Sequence, residues 1–191
     1  MNFVDKIYNK TYEIKQSKFI AYLMPYNDYE KTLKELRDQH PKARHFVVAY
    51  RYLNEYNQIV EHSSDDGEPK GTSGKPSLFV LQGADIINSA VIIVRYFGGT
   101  KLGTGGLVRA YSDAVNLVLN SATLLEYTQE VEKVIDFEYS NIRVVEYEAL
   151  TCGITIVEKT FDTKTSYKIK SSEDSMNKFL TKLERLVEVR K

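Results

Sequence analysis

Two stretches of this sequence carry the residue types that do chemistry. Asp65, Asp66 and Glu68 sit in a polar run from Ser63 to Pro76. Arg95, Lys101 and Arg109 surround a run that holds Gly98, Gly99, Gly103, Gly105 and Gly106. Clustered carboxylates ligate hard cations such as Mg²⁺ or share general acid and base work. Adjacent aspartates rarely converge on one ion, and Pro69-Lys70-Gly71-Thr72 has turn chemistry, in which Asp side chains accept backbone N–H groups. Two readings of the acidic loop therefore stand side by side. One is a hydrolytic site on Asp65, Asp66 or Glu68; the other is a self-bonded loop motif of Asp65, Asp66, Glu68, Lys70 and Thr72.

The glycine run follows a strand-like Ala90-Val91-Ile92-Ile93-Val94 and precedes a helical pattern. A strand–glycine loop–helix unit binds phosphate, because the helix start presents unpaired N–H groups and partial positive charge. Neither nucleotide fingerprint is present. The phosphate-loop pattern needs a lysine after Gly103, where Thr104 stands; the dinucleotide pattern needs a glycine at Val108. What remains is a phosphate or RNA site on Arg95, Lys101 and Arg109 with Gly98, Gly99, Gly103, Gly105 and Gly106. The competing reading gives the glycines to close strand–helix packing and pairs the cations with solvent or with the acidic loop.

Other chemistry is poorly represented. Cys152 is the single cysteine, and His40, His45 and His62 lack metal-ligand spacing. No serine or threonine sits in a G-x-S-x-G elbow. No metal and no cofactor is expected.

The elements that must hold these loops follow from pattern. Ser17 to Leu23, Phe46 to Tyr50, Gln58 to His62 and Ala90 to Arg95 read as strands. Tyr29 to Gln39 reads as a helix, ended by His40-Pro41. A short helix is expected over Ser77 to Gln82. A longer one runs from about Gly105 to Ser121, with Leu107, Ala110, Tyr111, Ala114, Val115, Val118 and Leu119 on one stripe. Residues 122–132 read as a linker. Beyond them lie a strand Lys133 to Tyr139, a helix Asn141 to Leu150 stopped by Gly153, strands Ile154 to Phe161 and Ser166 to Ser171, a helix Ser175 to Leu186 and a last strand Val187 to Arg190. The order β-α-β-β-α-β fits a ferredoxin-like unit. Domains are expected at 1–130 and 131–191.

Composition bounds the partners. The chain has 191 residues, 42% hydrophobic, with 26 basic and 26 acidic residues and zero formal net charge. A non-specific nucleic-acid binder needs a positive excess to displace counterions, so only a local basic face is compatible with binding RNA. No long apolar segment predicts a signal peptide or membrane span, and the cytoplasm is the expected location.

Read in order, Ser64-Asp65-Asp66-Gly67-Glu68-Pro69-Lys70-Gly71-Thr72-Ser73-Gly74-Lys75-Pro76 and Val94-Arg95-Tyr96-Phe97-Gly98-Gly99-Thr100-Lys101-Leu102-Gly103-Thr104-Gly105-Gly106-Leu107-Val108-Arg109-Ala110-Tyr111 closely resemble the signature of the IMPACT/YigZ family. Ser17-Lys18-Phe19-Ile20-Ala21 and the Ala43-Arg44-His45 segment resemble it too. The resemblance implies an α+β fold with two domains. The first would be similar to the second domain of a small-subunit ribosomal protein and to domain IV of elongation factor G; the second would be ferredoxin-like, similar to domain V of that factor. It also implies regulation of translation by binding RNA, the ribosome or a translation-associated protein partner. Eukaryotic relatives regulate initiation by competing for an activator of a stress kinase. They carry a further N-terminal domain not found in this sequence, so that partner is not carried over. Some bacterial relatives bear a proline-dipeptidase label, for which this sequence offers no metal-ligand set. Family members often have Asn-Cys-Trp after the histidine, where this chain has Phe46-Val47-Val48 after His45.

Overall fold

Residues 90–94 contain no polar side chain, and a strand with no polar face needs cover on both sides. The computed structural model, which describes residues 1–190, supplies that cover. The strand is β6 (Ser89–Tyr96), at the centre of an antiparallel sheet with β2 (Tyr8–Ile14), β3 (Ser17–Pro25), β4 (His45–Leu53) and β5 (Ile59–Ser64). The sheet order is β2-β3-β6-β4-β5. Alternation along the strands divides the side chains. Phe19, Ala21, Leu23, Val47, Ala49, Val91 and Ile93 pack under α2 (Gly74–Gly83) and α3 (Gly103–Ser121). Met24, Phe46, Val48, Ala90, Ile92 and Val94 pack on the opposite face with Leu36 of α1 (Tyr29–Gln39).

The expected elements are present, and their limits differ where local chemistry decides them. The helix expected over Ser77 to Gln82 starts earlier, at Gly74, because the acidic loop caps it, as shown below. The helix expected from about Gly105 starts at Gly103. The stretch 122–132 is not a plain linker. Leu125–Glu126 forms β7, which pairs antiparallel with β1 (Asn2–Phe3), and Phe3 meets Tyr127 edge to face at 6.4 Å. The chain divides into two compact units between Tyr127 and Thr128.

The second unit is an antiparallel sheet in the order β11-β8-β10-β9, built from β8 (Glu130–Phe137), β9 (Thr155–Phe161), β10 (Thr165–Ser172) and β11 (Val187–Val189). Ile135, Phe137, Tyr167 and Ile169 form a core with Val145 and Ala149 of α4 (Ile142–Cys152) and with Met176 and Phe179 of α5 (Glu173–Lys182). Gly153 ends α4 at φ 68°, a left-handed conformation that glycine adopts without steric cost. α5 begins earlier than expected, because Ser172 caps it by accepting from the Ser175 N–H.

Candidate functional site

The acidic loop is held by its own carboxylates. Asp65 Oδ1 accepts from the Ser73 hydroxyl at 2.6 Å and from the Gly74 N–H at 2.8 Å, and Oδ2 accepts from the Gly71 N–H at 2.7 Å. It thereby serves the unpaired donors at the start of α2, where a negative charge is also favoured by the helix dipole. Burial alone would push the Asp65 carboxyl up. The hydrogen bonds from Ser73, Gly71 and Gly74 outweigh burial and hold it below the usual carboxylate range. Asp66 ties the loop to two other elements. Its Oδ2 accepts from the Phe46 N–H at 2.6 Å, and its Oδ1 accepts from Arg37 of α1 at 3.2 Å. Thr72 donates to the Pro69 carbonyl at 2.7 Å, closing a turn. Gly74 has no alternative here, since a Cβ would stand 2.8 Å from the Ser64 backbone.

Glu68 enters the core. Its side chain is only 3% exposed and accepts from Arg95 Nη1 and, at 2.7 Å, from the Tyr111 hydroxyl. Three elements thus meet at one carboxylate: the loop, β6 and α3. Burial, then the Glu68 charge and hydrogen bond, push the Tyr111 hydroxyl far up, so it stays a donor. Register explains who else is present. Arg95 is paired across the sheet with Phe19 on one side and His45 on the other. His45 Nδ1 donates to the Asp66 carbonyl at 2.9 Å, and Nε2 stands 3.9 Å from Glu68 Oε1. Glu68 takes Nη1 of Arg95, whose Nε has no acceptor among the described residues.

The glycine run divides by role. Gly98 is a packing residue: a Cβ there would lie 2.0 Å from the Gln16 carbonyl carbon, and its N–H donates to Ser17 Oγ at 3.1 Å. This locks the loop onto the β2–β3 turn. Gly99 and Gly103 have φ of 87° and 72°, and Gly103 turns the chain into α3. Gly106 is tight against Leu102, whereas a Cβ on Gly105 would meet nothing. Among the described residues no side chain caps α3, so its first N–H groups are left open.

Between the two loops lies a cleft of about 480 Å³. Arg44, His45, Glu68, Arg95 and Lys101 line it beside Gly103 and Thr104 at the start of α3; Phe97, Leu102 and Leu107 form apolar walls. The structure therefore brings together Glu68, Arg95, Lys101 and Gly103 among the residues singled out from sequence. Asp65 and Asp66 are turned to the loop and its neighbours. Lys70 is exposed outside the cleft lining. Arg109 is exposed further along α3, on the side where Asp113 accepts from Tyr12, and it does not line the cleft. Sequence reasoning missed Arg44, His45 and Phe97 as cleft residues. The signal for His45 was pairing of β4 with β6, which a linear pattern does not reveal. The arrangement offers a helix start, two exposed cations and one buried guanidinium to an anion.

The Impact N-terminal domain model matches residues 15–119. An IMPACT family member of Haemophilus influenzae is 34% identical over 177 residues, covering 90% of this chain and 84% of that protein. The IMPACT family member YigZ of Escherichia coli is 36% identical over 78% of this chain and 74% of its own length. A crystal structure of a hypothetical protein superimposes with a TM-score of 0.70 at 29% identity, covering 98% of this chain and 95% of that one.

Proposed function

The chain belongs to the IMPACT family, and from that membership we propose that it regulates translation by binding RNA or the ribosome through phosphate contacts at the start of α3. The observation that carries the proposal is the cleft itself. Lys101 and Arg44 are exposed cations at the mouth of an uncapped helix start, and the buried Arg95 stands behind them. Open backbone N–H groups and guanidinium forks are the usual donors to phosphate oxygens. Gly98, Gly99, Gly103, Gly105 and Gly106 shape that approach, and Arg109 is a peripheral contact further along the helix.

The fold reading that accompanies this function is also a proposal. Numbered within the second unit, its strands run 4-1-3-2, all antiparallel, which supports the ferredoxin-like assignment. The first unit is read as similar to the ribosomal-protein and elongation-factor domains that the sequence resemblance implies.

The hydrolytic reading of the acidic loop gains nothing from the geometry, because Asp65 and Asp66 each give both oxygens to internal donors and Glu68 gives Oε1 to Arg95 and Tyr111. The test of RNA binding is a salt series. About three neutralised phosphates give a slope of roughly −2 to −3 in log K against log salt. A Lys101→Glu, Arg44→Glu variant with unchanged affinity and slope overturns the proposal.

A further inference from the structure

The cleft is not a uniform basic groove, and its mixture of walls identifies a ligand more closely than phosphate alone. Its volume, about 480 Å³, is that of a small-molecule pocket rather than a track for a duplex. Arg44, Arg95 and Lys101 are opposed by the single carboxylate of Glu68, so a net of two positive charges faces the space beside the α3 start. A phosphodiester brings one negative charge; a phosphate monoester carries about −1.5 to −2 at neutral pH. The monoester is the better complement.

A second observation points the same way and is independent of the helix start. The Arg95 side chain is 8% exposed and lines the cleft, yet its Nε–H has no acceptor among the described residues. A buried guanidinium donor left open costs free energy unless something fills the role. Beside it, Phe97 is 55% exposed, although it is a large apolar ring at the edge of a cationic site. Its centroid lies 5.9 Å from the Arg95 guanidinium. An exposed ring next to a phosphate-binding set is the arrangement on which an unpaired base stacks.

We infer that the cleft takes a nucleoside phosphate monoester, its phosphate at the α3 start between Lys101 and Arg44 and its base on Phe97. The source is either a free nucleotide or the phosphorylated 5′ end of a single RNA strand; both present the same chemistry. The inference rests on the phosphate-binding reading above and narrows it.

The test uses the full chain and fluorescence anisotropy with a short, 3′-labelled single-stranded RNA. The 5′-phosphorylated strand is expected to bind about tenfold more tightly than its 5′-hydroxyl twin. A closed RNA dumbbell without ends is expected to bind no better than the 5′-hydroxyl strand. Adenosine monophosphate should displace the strand at concentrations roughly fivefold or more below those needed for ribose 5-phosphate, and Phe97→Ala should abolish that gap while leaving ribose 5-phosphate unchanged. Displacement by adenosine monophosphate of a dye-labelled nucleotide, with no preference among the RNA strands, assigns the site to a free nucleotide. If all the RNAs bind alike, Lys101→Glu weakens them all and adenosine monophosphate displaces neither strand nor dye-labelled nucleotide, the monoester inference fails and the general phosphate reading survives. If ribose 5-phosphate and adenosine monophosphate compete equally in the wild type, the place of the base on Phe97 is wrong. If neither RNA nor nucleotide binds, both readings fall together.

Discussion

Arg95 and Glu68, 27 positions apart in the chain, form a buried ion pair in which the Tyr111 hydroxyl is a second donor to the same carboxylate oxygen. The pair joins the two motifs that the sequence displays separately. It also fixes the wall of the cleft, because Arg95 cannot move without stranding the Glu68 charge.

Breaking one side of this pair is expected to be expensive. Glu68→Gln leaves the Arg95 guanidinium buried without its counter-charge, and about 3–5 kcal/mol of stability is the expected loss in urea unfolding. Replacing the whole set, Glu68→Leu with Arg95→Met and Tyr111→Phe, removes every stranded polar group and should cost clearly less than Glu68→Gln alone. A triple variant no more stable than the single one contradicts this view of the pair.

Asp65 gives a pH-dependent counterpart. Its carboxyl is held below the usual range in the fold, so its contribution is fully present above its unfolded value of about 4 and is lost as pH falls through the lower folded value. Asp65→Ala is expected to lose about 1–3 kcal/mol at neutral pH through the α2 cap. The gap between variant and wild type should narrow below about pH 4. Parallel stability curves across that window would falsify the cap's electrostatic part.

Two glycines of one motif should respond oppositely to alanine. At Gly98 the new Cβ would stand 2.0 Å from backbone, and neither partner is a flexible side chain. Loss of more than about 4 kcal/mol, or no soluble protein, is expected. At Gly105 the Cβ meets nothing, and the helix gains propensity worth up to about 1 kcal/mol. Thermal melting of the two variants checks the contrast; equal effects would mean that the loop packs differently.

Much of this architecture is legible in sequence. The apolar run at Val91 to Val94 announces a central strand, and the stripe from Leu107 to Leu119 marks the helix over it. Gly153 as a helix stop follows from its freedom at positive φ. What sequence does not carry is which residues meet across long separations. His45 opposite Arg95, and Glu68 between Arg95 and Tyr111, are products of sheet register and of a loop folding inward. The acidic loop reads as open to catalysis only because its backbone donors are invisible in a linear pattern. For the same reason the Leu125–Glu126 strand, whose partner lies at the other end of the unit, reads as linker.

Ribosome association tests the central claim most directly. Purified protein is mixed with ribosomes from the same cell, and sedimentation is followed across a salt series for wild type, Arg109→Glu and the Lys101→Glu, Arg44→Glu variant. The account predicts co-sedimentation of the wild type that salt removes, little change for Arg109→Glu, and loss at low salt for the double variant, whose exposed positions leave folding intact. Retention of the double variant on ribosomes to the same extent as wild type would contradict it.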